Sequence, residues 1–273
     1  MVRCGLVMVM VAALLGAHRA ESQPATAPPS DPFEYVVFGL EQVTIGPRGQ
    51  ADGPIGVNDG AVRLRQGTTV TSTVAADTIR LARRTTAEAL FCTIVVSRSD
   101  RSCTVFDVPL VPASALGVVQ VSTGPGDVTV PRRGSRVPLP PGEYRRIRVG
   151  AGSTLTLEGG DYTAESIRLA RGATLACVAA CRIAVRRELH LGRAARIGPA
   201  AGSEPTGVSV RIAVQGENAR IALRMGPGVT VTGTLYAPTA HARAGSHLRL
   251  DGQVIARTVR IGGRARLALP PAP

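Results

Sequence analysis

Apolar residues recur along this chain in one short pattern. Two of them stand two positions apart, and a third follows eight positions after the first, with glycine or small polar residues in between. Such alternation places the first two side chains on one face of a β-strand, and the glycines permit a tight bend towards the next strand. Nine copies occur, at Val43/Ile45/Ala51, Val62/Leu64/Val70, Ile79/Leu81/Ala87, Ile147/Val149/Leu155, Ile167/Leu169/Leu175, Leu189/Leu191/Ile197, Ile221/Leu223/Val229, Leu248/Leu250/Ala256 and Val259/Ile261/Leu267.

The spacing of the copies predicts a solenoid. Starts are 19 residues apart from 43 to 62, 17 from 62 to 79, 20 from 147 to 167 and 22 from 167 to 189. Outside the N-terminal segment, only a short stretch near 85–90 hints at a helical period. A single coil cannot bury a core by itself, whereas stacked coils share one. We therefore predict an all-β fold, a single-stranded right-handed β-helix (β-solenoid) with about 17–22 residues per coil.

Two stretches depart from this spacing. Residues 88–141 contain two cysteines and a proline-rich run, and they form either an excursion from one solenoid or a boundary between two. The step from 189 to 221 is long and contains a strand-like insert at 208–214, whereas the copies at 248 and 259 are so close that they belong to two faces of one coil. The predicted divisions are N-terminal coils 35–87, excursion 88–141, C-terminal coils 142–269 and tail 270–273.

The N-terminal segment has the features of a secretory signal. An apolar stretch at 6–17 follows Arg3, and Ala20 and Ser22 supply small residues before Gln23. The stretch is shorter than the about 20 residues that span a bilayer. We predict a signal peptide at 1–22, cleavage before Gln23 and a flexible mature terminus at 23–34; a short uncleaved anchor is the alternative. The mature chain is then secreted, periplasmic or on the cell surface, without a transmembrane segment.

Four cysteines remain after the predicted cleavage. An even number in an exported chain favours two local disulfides. We predict Cys92–Cys103, which would clamp a hairpin, and Cys177–Cys181, which would close a very small loop. A metal site formed by Cys177, Cys181 and His190 is the alternative, although the compartment and the absence of a second nearby pair favour the disulfide.

Composition excludes several classes of function. The 273 residues are 44% hydrophobic, which is enough for a core and excludes wholesale disorder. The formal net charge is +13, from 32 basic and 19 acidic residues, and every basic residue other than histidine is arginine. Without lysine, P-loop, Schiff-base and kinase chemistry are excluded. The charge suggests a polyanionic partner, but a genome-wide preference for GC-rich codons also explains uniform arginine usage.

The position of the arginines within the repeat bears on these two explanations and leaves both open. The residue between the first two apolar positions must point outwards, and in six of nine copies it is arginine. In order along the chain these residues are Thr44, Arg63, Arg80, Arg148, Arg168, His190, Ala222, Arg249 and Arg260. Stacked coils would align them as a basic stripe formed by Arg63, Arg80, Arg148, Arg168, His190, Arg249 and Arg260. The alternative is that long arginine stems simply cover exposed strand positions.

No catalytic constellation is evident. The aspartates are scattered, and only Asp59 and Asp77 could approach each other from successive coils, where turn residues are the simpler interpretation. Glycines near His190 hint at a hexapeptide-repeat acyltransferase, but the six-residue spacing is not sustained. His241 and His247 have no carboxylate nearby in sequence. We predict no catalytic residues, no metal and no cofactor.

Short motifs carry a family resemblance. Val43-Thr-Ile-Gly46, Gly56-Val-Asn58, Gly142-Glu-Tyr144 and Gly233-Thr-Leu-Tyr-Ala-Pro238 resemble those of secreted bacterial β-helical repeat proteins, including polymer-forming, bactofilin-like solenoids and solenoid domains of pilus-assembly and cell-surface proteins. The resemblance covers about 40–270 and implies the fold far more than a function. The first coils also resemble ice-binding solenoids, although only Thr69-Val-Thr71-Ser-Thr73 matches their threonine arrays.

These observations lead to one expectation of function. We expect an exported, non-catalytic β-solenoid that serves the bacterial envelope as a structural, adhesive or polyanion-binding component. An acidic polysaccharide or another polyanion is the expected partner, with self-association through the end coils and no nucleic acid. The alternatives are a carbohydrate-active β-helix, such as a polysaccharide lyase or hydrolase, and an ice-binding or filament-forming solenoid.

Overall fold

The structure is a computed structural model that describes residues 27–97, 103–105, 111, 116–117, 120–132, 134–202, 210–215 and 221–269. These residues form an all-β solenoid of about 10 coils. One short 3-10 helix, Pro32–Glu34, precedes the first coil, where the Asp31 side chain accepts a hydrogen bond from the Phe33 N–H. No helix among the described residues is long and apolar enough to cross a membrane. The predicted signal peptide, 1–22, lies outside the described residues.

The described residues contain 21 strands. The strands before residue 98 are β1 (Val37–Ile45), β2 (Gln50–Asp52), β3 (Ile55–Val57), β4 (Ala61–Leu64), β5 (Thr69–Ala75), β6 (Thr78–Leu81), β7 (Thr86–Phe91) and β8 (Ile94–Ser97). Those after residue 126 are β9 (Asp127–Val130), β10 (Arg136–Leu139), β11 (Gly142–Val149), β12 (Thr154–Leu157), β13 (Gly160–Leu169), β14 (Thr174–Cys177), β15 (Cys181–Leu191), β16 (Arg196–Pro199), β17 (Val210–Val214), β18 (Ile221–Met225), β19 (Thr230–Ala244), β20 (Arg249–Ile261) and β21 (Arg266–Ala268).

A complete coil contributes strand to three faces. Face 1 contains the paired apolar positions of the repeat, such as Ile147 and Val149, which align with Ile167 and Leu169 of the next coil. Face 2 follows a tight corner and contains the third apolar position, as in Leu155 against Leu175. Face 3 closes the coil. The long strand β19 passes along all three faces without interruption, and β20 pairs with it in parallel.

The apolar residues of the repeat form one continuous core. Val43, Ile45 and Ala51 are buried, as are the equivalent residues of the coils on either side. Because each inward side chain contacts its counterparts above and below, every inner coil is stabilised by two neighbours. This confirms the predicted solenoid and the predicted inward face of the repeat.

The spatial order of the coils differs from their order in the chain. Strand β1 lies between β4, where Val43 aligns with Val62, and β20, where Val43 aligns with Val259. From one end of the solenoid to the other, face 1 reads β9, β11, β13, β15, β18, β19, β20, β1, β4, β6 and β8. The N-terminal coils therefore stack on the C-terminal ones, and all advance in the same direction.

Residues 98–126, which we call the connecting segment, join the two ends of the solenoid. Its described residues contact face 3 on the way: the Val111 N–H donates to Asn58 Oδ1 at 2.8 Å, and Tyr236 Oη donates to the Gly117 carbonyl at 2.9 Å. Val111 packs there in an apolar cluster with Tyr35, Phe38, Tyr236 and Ile255. The segment thus covers apolar side chains that point outwards from face 3.

The range 88–141 contains more solenoid than we predicted. Strands β7 to β10 lie partly or wholly within it, and each pairs with a coil. The hairpin prediction was wrong, because β8 pairs with β6 in parallel and Phe91 forms a parallel bridge with Thr104. Both predicted cysteine pairs are confirmed, with Cα atoms 5.5 Å apart in Cys92–Cys103 and 6.2 Å apart in Cys177–Cys181.

Candidate functional site: an arginine row on face 1

The outward positions of face 1 form a column of basic side chains, here named the arginine row. Its members occupy the same register on successive coils and all are exposed. In spatial order they are Arg148, Arg168, His190, Arg224, Arg243, Arg260, Arg63 and Arg80, with Thr44 between Arg260 and Arg63. The row crosses the contact between the C-terminal and N-terminal coils.

Strand alternation explains why these side chains face solvent. Ile147 and Val149 on either side of Arg148 are buried in the core, so Arg148 must point away from it. The same holds for Arg260 between Val259 and Ile261. Adjacent strands are about 4.8 Å apart, so the eight steps from Arg148 to Arg80 span about 38 Å. The row is therefore a straight line of charge fixed on a rigid sheet.

Two differences separate the predicted stripe from the observed row. Arg249 is not a member, because it lies on face 2, aligned with Thr230 and Arg266. Arg224 and Arg243 are members that the sequence analysis missed. At 221–225 a bulge shifts the register, so the position between Leu223 and Met225 faces out instead of Ala222. Arg243 stands between two alanines, which are weakly apolar and did not reveal the repeat.

The Glu188 carboxylate lies directly against the row. Arg168 forms an ion pair with Glu188, which precedes His190 by two residues and faces outwards on the next coil. The hydrogen bond from Arg168 lowers the pKa of Glu188, and the positive charges of Arg168, His190 and Arg224 add to the effect. Within the described part of the chain, no carboxylate forms an ion pair with Arg148, Arg243, Arg260, Arg63 or Arg80.

The two halves of the arginine row differ in the charge of the side chains beside them. Asp127 pairs with Arg145 at 2.8 Å near the β9 end, and the hydrogen bond from Arg145 lowers the pKa of Asp127. In the other half, the outward residues two positions before the row are neutral or histidine: His241, Thr258, Gln42, Ala61 and Thr78. His241 Nδ1 lies 2.7 Å from Thr258 Oγ1. The surface from Arg243 to Arg80 therefore presents positive charge and hydrogen-bonding groups.

The residues considered for a metal site and for histidine catalysis do not come together in the structure. Cys177 and Cys181 pair with each other, and among the described residues no group of three or more His, Cys, Asp or Glu is placed to hold a metal ion. His190 lies in the arginine row between Arg168 and Arg224. His241 is on face 1, whereas His247 occupies a corner of the solenoid.

Comparison with known proteins adds no identification. The chain matches no protein-family model, and it matches neither a curated protein nor a solved structure.

Proposed function

We propose that this protein is an exported, non-catalytic β-solenoid that binds a linear polyanion along the arginine row. An acidic envelope polysaccharide is the ligand class that we favour, which would make the protein a structural or adhesive component of the bacterial envelope. The observation that carries the proposal is the register of the row, in which eight basic side chains on stacked coils, interrupted once by Thr44, face solvent together.

Electrostatics supports a ligand of opposite charge. Two unit charges at 4 Å repel by about 1 kcal/mol in water, so the fold tolerates the row, and salt reduces the repulsion further. A polyanion placed along the row would replace this repulsion with attraction and release condensed counterions. Because the β-sheet already fixes the spacing of the arginines, the protein loses little backbone freedom on binding.

The resemblance to polymer-forming, bactofilin-like solenoids supports self-association of this protein as a further part of the proposal. Within the described residues, the outermost face 1 strands, β8 and β9, each pair with a coil on one side only. Both strands run in the same direction, so a second molecule could extend the stack head to tail. Self-association through these ends stays a prediction beside the polyanion proposal.

Replacing part of the row tests the polyanion proposal. We expect the triple variant Arg148→Gln, Arg243→Gln and Arg260→Gln to elute from a heparin column at clearly lower salt than the wild type. Each residue is exposed and none pairs with a described carboxylate, so the fold should be retained. The slope of log K against log salt should also become shallower, by about 0.7–0.9 for each arginine–anion interaction that the substitutions remove.

A control variant distinguishes the effect of the arginine row from the effect of net charge. Arg136→Gln, Arg171→Gln and Arg196→Gln remove the same number of exposed charges from face 2 and its corner. We expect this triple variant to retain most heparin affinity. Equal losses in the two triple variants would show that only net charge matters and would overturn the proposal.

A further inference from the structure

The corner between face 1 and face 2 has the same backbone conformation in all the coils whose corner residues are described. In each of ten corners among the described residues one residue has a positive φ, and in all of them except the Arg84 corner its N–H donates to a carbonyl of the adjacent coil. In spatial order these residues are Gly134, Gly152, Gly172, Ala194, Gly228, His247, Arg264, Arg48, Gly67 and Arg84. Glycine adopts this backbone conformation most readily, and five of the ten positions have it.

Three adjacent members of this column carry a basic or imidazole side chain. His247 has φ 60, Arg264 has φ 57 and Arg48 has φ 58. The three are consecutive in space, because the His247 N–H donates to Gly263 O and the Arg264 N–H donates to Pro47 O, both at 2.9 Å. These three residues adopt a backbone conformation that favours glycine although each has a large side chain. Non-glycine residues in such conformations are found most often at functional sites.

Two grooves flank these three side chains. One, of about 370 Å³, extends onto face 2 and is also lined by Gln50, Arg249 and Arg266. The other, of about 530 Å³, extends towards the neighbouring corners and is also lined by Gln66, Arg84 and Ser246. No carboxylate of a described residue lines either groove.

The register brings the basic groups of face 2 to the same place. Arg249, Arg266 and Gln50 align on three successive coils, two residues after His247, Arg264 and Arg48 respectively. All six side chains are exposed. Among the described residues, no carboxylate pairs with any of the four arginines. Arg249, which is absent from the arginine row, belongs to this second surface.

We propose that this corner is a binding site for a compact anionic group with more than one negative charge, such as a phosphate or sulfate ester. Guanidinium groups bind such oxyanions through paired, charge-assisted hydrogen bonds, and Gln50 and His247 supply further donors. The corner borders face 1, and His247, Arg264 and Arg48 each follow the face 1 outward position of their coil by four residues. The inference uses different side chains from the arginine row and does not depend on the proposed function.

The site also joins two distant parts of the chain. Arg48 comes from the first coil, whereas His247 and Arg264 come from the last two. A bound anion would therefore link the N-terminal coils to the C-terminal coils where no covalent connection runs between them. Because such a ligand binds the folded state alone, it raises the unfolding temperature with concentration.

Calorimetric titration of the mature chain tests the site. The probes are inorganic phosphate, inorganic sulfate and glucose 6-phosphate. We expect saturable binding of at least one probe, with a matching rise in unfolding temperature. Tighter binding of glucose 6-phosphate than of inorganic phosphate would assign the site to an ester, and equal binding would assign it to the free ion. Absence of binding of all three probes at millimolar concentration would overturn the proposal.

Glycine substitutions keep the test independent of folding. Because glycine suits a positive φ, the double variant Arg48→Gly and Arg264→Gly should melt no lower than the wild type without anion. We expect its affinity for the bound probe to fall at least about tenfold, since several charge-assisted hydrogen bonds are removed. Wild-type affinity in this variant would contradict the proposal.

Two controls complete the design. Ala194→Gly changes an equivalent corner position without removing charge, and its affinity for the probe should equal that of the wild type. Arg148→Gln removes one charge from the arginine row and should reduce heparin retention while leaving probe binding unchanged. If Arg148→Gln weakens probe binding as much as the corner variant does, general charge explains the binding and the corner site is rejected.

Discussion

At the scale of single residues, close contact between coils depends on glycine. Gly46 follows the apolar pair Val43 and Ile45, at the point where the chain turns towards face 2. A Cβ atom there would lie 2.5 Å from the carbonyl carbon of Gly262 and 2.5 Å from the Gly263 nitrogen. Both atoms belong to the backbone of the next coil, so neither can move aside without shifting a strand.

We expect Gly46→Ala to reduce the free energy of unfolding by about 1–3 kcal/mol, the usual effect of overpacking. Urea denaturation followed by circular dichroism would measure the change. Gly126→Ala is the control, since its Cβ would meet nothing within 4 Å and its effect should stay within about 0.5 kcal/mol. Equal stability of the two variants would contradict the importance of close contact at the Gly46 corner.

Residue-scale prediction from the sequence succeeded where alternation was strong. Arg148 and Arg260 could be placed on the surface because large apolar residues flank them on both sides. Arg243 could not, because the adjacent alanines carry little signal, and Arg224 could not, because a bulge shifts the strand by one residue. The corner site was also beyond prediction, since it requires knowing which coil stacks against Arg48.

At the scale of elements, face 3 differs from the other two faces. Phe38, Tyr236 and Ile255 align on adjacent coils and point outwards, yet they are buried. The connecting segment and the residues before β1 cover them. The sequence marked 88–141 as unusual, but periodicity reports local strand spacing and gives no information about a long-range contact such as that between Val111 and Asn58.

The Asn58 side chain holds the connecting segment by one hydrogen bond. Its Oδ1 accepts from the Val111 N–H at 2.8 Å, and Val111 is buried. Asn58→Ala leaves this N–H without its partner, so we expect a loss of about 1–3 kcal/mol in unfolding free energy and faster hydrogen exchange at the Val111 amide. Asn58→Asp keeps an acceptor oxygen and should restore exchange protection. Unchanged exchange in Asn58→Ala would show that the apolar contacts alone fix the segment.

At the scale of the whole molecule, the coils form a circularly permuted stack. Strand β20 is followed in space by β1 as regularly as β1 is followed by β4, and the Arg257 guanidinium crosses this contact to Glu41 at 2.6 Å. Sequence patterns could not reveal this order, because every coil presents the same apolar repeat and any two coils could be neighbours. The fold class was predictable from the repeat, whereas the stacking order was not.

A permuted chain would test this order. The Leu269 N–H donates to Asp52 O and the Val36 N–H donates to Pro54 O, so residues 36 and 269 both contact the 52–54 turn. We expect a protein with Leu269 joined to Pro29 by a short Gly/Ser linker, and new ends opened between residues 119 and 120, to fold with wild-type circular dichroism. Its unfolding temperature should stay within a few degrees, because coil contacts on both sides of β1 are kept.

A second permuted chain is the control for where the new ends lie. The same join with ends opened after Gly226 would break the corner between β18 and β19, where coils approach closely. We expect this protein to be much less stable. Failure of the first permuted chain to fold, under conditions in which the wild type folds, would contradict the observed adjacency of β20 and β1.

Because β1 pairs with β20, the N-terminal coils cannot complete their contacts until β20 has been made. A ribosome makes the N-terminal coils first, but the side of β1 that faces β20 has to wait for that strand, which is made after β2 to β19. Until then, the edge of β1 that faces β20 has no native partner. A chain interrupted before residue 249 would lack β20 and would leave that edge of β1 unpaired. Closure of the stack therefore distinguishes chains that contain β20 from shorter chains that lack it.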